Sequence, residues 1–105
     1  DQAMRLFLVK EDGRPVWVAA LANENMYGYV ANTGKFHNNN ALRNDYYMER
    51  DFSYEAIGSA EARRLIDGVG LLDDDEYADV LVEWRADPDA LDPVEVLSIA
   101  AGFNP

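Results

Sequence analysis

The chain has 105 residues, no cysteine and a net charge of −11. That length fits one domain with one core, and the missing cysteines exclude disulfides and thiolate metal sites. The negative charge is lopsided: residues 1–50 balance six acids against six bases, whereas residues 51–105 carry fourteen acids and only Arg63, Arg64 and Arg85. A field of that sign repels phosphate backbones and anionic membranes and attracts basic partners, so direct nucleic-acid binding and membrane association are not expected. Nothing approaches the roughly 20 apolar residues of a membrane span. The longest apolar run near the start, Leu6 to Val9, is too short for a signal-peptide core. With no cysteine staples, these features point to the cytoplasm.

Residues 1–3 precede Met4 and read as a vector-derived remnant ahead of a native start. Arg5 to Lys10 is rich in strand formers, with Leu6 and Leu8 on one face and Phe7 and Val9 on the other, which predicts a strand covered on both sides. Asp12-Gly13 marks a turn. Val16 to Leu21 and Met26 to Ala31 read as the next strands, separated by a turn at Ala22 to Asn25. Asn32 to Lys35 turns again, and Phe36 to Asn38 is a short fourth strand. Three short turns in succession make an antiparallel meander the economical topology.

The period then changes. One of Asn38, Asn39 or Asn40 should cap a helix from about Ala41 to Glu49, with Leu42 and Tyr46 one turn apart. Phe52 to Ile57 alternates and reads as a fifth strand. Ser59 is placed to cap a helix over residues 60–66, closed by Asp67-Gly68. Asp73 to Glu76 should open a further helix, Asp73 capping and Glu76 three residues on. Tyr77, Val80, Leu81 and Trp84 form its apolar stripe, and Asp79 and Glu83 face water. Asp87-Pro88-Asp89 stops it. Asp92-Pro93-Val94-Glu95 starts the last helix, which runs to about Ala101. The fold class is therefore α+β: an antiparallel meander sheet of three to five strands from the N-terminal half. Three to four helices, mostly from the C-terminal half, pack on it, all in one domain spanning residues 1–105.

Residues 26–40 hold the only histidine, His37, with Tyr27, Tyr29 and four asparagines around a glycine turn. Imidazole is suited to proton transfer at neutral pH. Lys35 or Arg43 could stabilise charge beside it, and Tyr46 or Tyr47 could donate a second proton. That kit resembles the one used by metal-independent ribonuclease toxins, without any motif match, and makes a small RNA- or nucleotide-acting enzyme the alternative reading. Against it stands a histidine with only a structural place in a strand or turn. Tyr27 and Tyr29 could stack bases, but that mode needs surrounding basic charge, so core packing explains them better. The Asn32–Asn40 loop matches no phosphate-binding motif, and turn chemistry accounts for it.

Asp73-Asp74-Asp75-Glu76 does not fit the EF-hand loop, whose sixth position must be glycine and twelfth glutamate; here those are Ala78 and Trp84. Carboxylates at a positive helix end explain the run without metal. No Gly-x-Ser-x-Gly and no His-Glu-x-x-His is present, and no cofactor is implied. The leading expectation is a small protein-binding module. It would dock a basic partner through Asp73, Asp74, Asp75, Glu76, Asp79, Glu83, Asp87 and Asp89, in the manner of an antitoxin, immunity or phage anti-defence inhibitor. A blander option is self-association through a sheet edge or an apolar helix face.

Overall fold

The computed structural model describes residues 4–102, so the expectation for residues 1–3 lies outside the described residues. Five strands, β1 (Arg5–Glu11), β2 (Arg14–Ala22), β3 (Asn25–Val30), β4 (Lys35–Asn38) and β5 (Ser53–Ile57), form one antiparallel sheet in the order β4-β3-β2-β1-β5. Four α-helices accompany it: α1 (Asn40–Asn44), α2 (Ser59–Asp67), α3 (Ala78–Arg85) and α4 (Pro93–Ala100). The α+β class and the meander follow the alternation and turn chemistry of the first half.

The two hairpins at the start close through two-residue turns. Asp12 and Gly13 have φ of 51° and 80°, and Asn23 and Glu24 have 51° and 67°. Positive φ at both central residues gives the turn whose twist matches the strands it joins. β3 and β4 are joined by four residues, Ala31 to Gly34, since Val30 pairs with Lys35.

Both faces of the sheet are covered, as the two apolar faces of β1 require. On one face Leu6, Val18, Ala20 and Phe36 pack with Ala62 and Ile66 of α2 and Val96 and Leu97 of α4. On the other, Phe7, Val9, Ala19 and Met26 pack with Leu42 of α1, with Trp17, Tyr46, Phe52 and Tyr54 around them. Gly28 lies on this second face. A Cβ there would stand 3.0 Å from the Trp17 ring and 3.5 Å from Leu42, so glycine lets the indole approach the strand closely. Tyr27 and Tyr29 are half-buried and pack against the α2 and α4 side, in keeping with the core reading.

Three helices differ from expectation, one at its end and two at their starts. The helix anticipated over residues 41–49 is α-helical only to Asn44 and continues as a π-helical turn, Asp45–Glu49. The Asp45 carboxylate explains the change: it accepts the amides of Asp51 and Phe52 at 2.8 and 3.1 Å and the Tyr54 hydroxyl at 2.7 Å. The chain must double back beneath Asp45 to bring these donors in, and Arg50, at φ 57°, makes the reversal. Asn39 is the asparagine that caps α1, accepting the Leu42 amide at 3.1 Å. Gly58, not Ser59, occupies the cap of α2; Ser59 is its first helical residue, and its hydroxyl donates to Leu97 O at 2.9 Å, tying α2 to α4. Asp73 does cap, accepting the amides of Asp75 and Glu76, but it caps a turn over residues 74–77, and α3 begins at Ala78.

Among the described residues no helix is long and apolar enough to cross a membrane.

Candidate functional site

Two places carry functional groups: the loop joining β3 to β4, and the acidic stretch that leads into α3.

In the first, β4 presents His37, whose backbone pairs with Gly28, so the position directly opposite it on β3 carries no side chain. The imidazole is 1% exposed. Its Nδ1 lies 3.0 Å from Asp87 Oδ2, and its Nε2 lies 2.6 Å from Thr33 Oγ1. The Trp84 ring stacks on it, 5.7 Å between centroids and 27° between planes. Asp87 follows the end of α3, and this segment is fixed to β4 by a backbone bridge between Leu91 and Phe36. The hydrogen bond from His37 holds the Asp87 carboxyl below the ordinary carboxylate range against the opposing pull of partial burial, and the Asp89 amide adds to that hold. An ionised Asp87 only accepts, so Nδ1 carries a proton. In the neutral ring Nε2 is then the acceptor, and the Thr33 hydroxyl donates to it.

Thr33, Asp87 and Trp84 also line a small cavity of about 190 Å³, together with Lys35, Arg85 and Ala90. Of the residues anticipated around His37, Lys35 is therefore on the wall of the same cavity. Arg43 and Tyr46 are elsewhere: Arg43 Nε donates to Glu24 O at 2.7 Å, and Tyr46 packs among Phe7, Tyr47 and Tyr54 under the Arg50 guanidinium. The expected His37–Arg43–Tyr46 grouping is thus not assembled. A hydroxyl–imidazole–carboxylate chain takes its place. The loop amides that could have cradled a phosphate are occupied, those of Thr33 and Gly34 by Val30 O and that of Lys35 by Thr33 Oγ1.

The second place begins where Asn32 clamps Leu72, its side chain accepting the Leu72 amide at 2.9 Å and donating to the Leu72 carbonyl at 3.1 Å. Beyond this clamp Asp73, Asp74, Asp75, Glu76, Asp79 and Glu83 are all exposed. Asp73 is partly committed to its turn, and the Glu76 and Asp75 amides hold its carboxyl below the ordinary range. Asp74 meets Arg85 at 3.1 Å, both well exposed. Between these carboxylates stand apolar side chains in water: Leu71 is 75% exposed, Val82 66% and Tyr77 39%. Asp89 is exposed, but Asp87 is turned inward to His37. Of the stripe anticipated on α3, Leu81 is buried and Val80 and Trp84 half-buried, while Tyr77 faces outward.

A larger cavity, about 330 Å³, lies between the strands and the segment after α2, walled by Leu8, Trp17, Val18, Tyr29, Leu65 and Val69 among others. It contains no charged side chain.

No protein-family model matches the chain, and neither the curated proteins nor the solved structures compared with it give a match.

Proposed function

We propose that this chain is a protein-binding module that docks a basic partner through residues 71–83. One observation carries the reading: Asp75, Glu76, Asp79 and Glu83 are exposed on the same short stretch as Leu71, Tyr77 and Val82. Interfaces gain most of their affinity from a few apolar and aromatic anchors, while charges around them guide encounter and set the partner's sign. Here both ingredients are adjacent, and the only base in the stretch from Leu71 to Asp92, Arg85, is paired with Asp74. Asp73 and Asp74 contribute field more than contact, because one is held by its turn and the other by Arg85. Asp87 drops out of the contact set, since its carboxylate serves His37. Inhibitors that cover a basic enzyme, whether antitoxin, immunity or anti-defence proteins, are the functional class such a surface fits.

The test compares the wild-type chain with a variant carrying Asp75→Asn, Glu76→Gln, Asp79→Asn and Glu83→Gln. Both are immobilised in host lysate at low and high salt. Wild type is expected to retain a basic protein at low salt, to release it at high salt, and to lose it in the neutralised variant. Retention of the same protein by the variant, or of none by wild type, would refute the docking surface.

A further inference from the structure

Docking of a basic partner makes no use of the Thr33–His37–Asp87 chain. Its three members come from a turn, a strand and the segment beyond α3, with Asp87 fifty residues from His37 in sequence. Their order is that of an activated nucleophile: a hydroxyl against a base, and the base oriented by a carboxylate. Thr33 Oγ1 is nearer to Nε2, at 2.6 Å, than to its other acceptor, Val30 O, at 3.2 Å. Trp84 fixes the plane of the imidazole and Asp87 its tautomer. The ring is closed to solvent, but Thr33 is half-buried and lines the 190 Å³ cavity. Thr33 and Asp87 are the members of the relay that border space a small molecule can enter, and of the two only Thr33 carries a hydroxyl. Lys35 and Arg85 line the same space; Arg85 is engaged by Asp74, so Lys35 is the cation of that wall on which charge stabilisation of an oxyanion would draw.

We infer that Thr33 is the nucleophile of an acyl-transfer site for small carboxylic esters, with His37 as its base and Asp87 as the residue that positions the base. In the first half-reaction Thr33 Oγ1 attacks the ester carbonyl carbon and forms a C–O bond, while its proton passes to His37 Nε2. The tetrahedral intermediate then expels the alcohol oxygen, which takes that proton and leaves as the alcohol, giving acyl-Thr33 and a neutral ring. In the second, water attacks the acyl carbon and gives its proton to Nε2. The Thr33 oxygen takes the proton back as the carboxylic acid departs. The sum is ester plus water to acid plus alcohol, with no other reactant.

The full chain is incubated with p-nitrophenyl acetate. Nitrophenolate release is followed optically, and the site of acetylation is read by peptide mass spectrometry. An initial burst is expected, with the acetyl group on Thr33. Thr33→Val should abolish that label and Thr33→Ser, which restores a hydroxyl, should return it. These two variants decide the matter even if a change at buried His37 unfolds the chain. Where His37→Gln keeps a cooperative thermal melt, it should slow acetylation by about 100-fold or more, and Asp87→Asn should slow it while leaving the label on Thr33. Acetyl found only on Lys35 or other amines, or a Thr33→Val chain that reacts as wild type does, would overturn the assignment. So would a folded His37→Gln chain that labels at the wild-type rate.

Discussion

Asp45 is 4% exposed, and its carboxylate accepts three hydrogen bonds, more than any other carboxylate among the described residues. Burial pushes its carboxyl up, but the Tyr54 hydroxyl, the Asp51 and Phe52 amides and the Arg50 charge together hold it below the ordinary value of 3.8. Burial and the hydrogen bond to Asp45 raise the Tyr54 hydroxyl well above its usual range, so it stays a donor. Asp45→Ala leaves two amides and a phenol without their acceptor and should cost about 2–3 kcal/mol in urea unfolding. Asp45 and Asp87 both have depressed folded-state values. A carboxyl lowered by folding contributes stability that is complete above its unfolded-state value and disappears as pH falls through the folded-state value. Denaturant midpoints should therefore hold steady down to about pH 4 and fall below it, and Asp45→Ala should show a shallower fall than wild type. Little of this was legible beforehand. His37 stood out as the only histidine, but Asp87 read as a helix stop and an exposed acid, and Asp45 as one more polar residue on a helix. Each acquires its partners through folding, from positions that no periodicity connects.

At the scale of elements the legible part was much larger. Strand formers between turn signals located the first four strands and alternation the fifth; a strand buried on both faces carries apolar residues at consecutive positions, as Leu6 to Val9 do. The turn at Asn23-Glu24 was readable from composition, but not that Glu24 would hold φ 67°, a conformation glycine adopts without cost. Glu24→Gly should thus raise stability by about 1 kcal/mol, seen as a higher melting temperature with an unchanged circular dichroism spectrum. Arg43 Nε bonds to the Glu24 carbonyl, which the substitution keeps. Helix boundaries were the less legible part. The π-helical turn at Asp45–Glu49 exists to serve donors at residues 51, 52 and 54, and Ser59 enters α2 because Leu97 O awaits its hydroxyl. Local propensity contains neither demand. Asp73 capped as its residue type suggests, yet the four residues after it make a turn before α3 proper begins.

Across the whole molecule, charge and sheet topology meet at the outer strand β5. Among the described residues β5 pairs only with β1, so one of its sides has no neighbouring strand. The opposite rim is partly shielded where Leu91 bridges to Phe36. Exposed Glu55 stands on β5, in contact with Lys10 at 2.9 Å, and a net charge of −11 keeps copies apart at neutral pH. Strands with a bare edge are templates for one another once mutual repulsion is gone. The isoelectric point lies near 4.2, in the range where the chain's carboxylates begin to protonate. Solutions brought to that pH should turn turbid, with thioflavin-positive material growing from the β5 rim, and Ala56→Lys, which puts a cation on that strand, should delay its onset. Storage at mildly acidic pH would then be the condition under which this small protein polymerises.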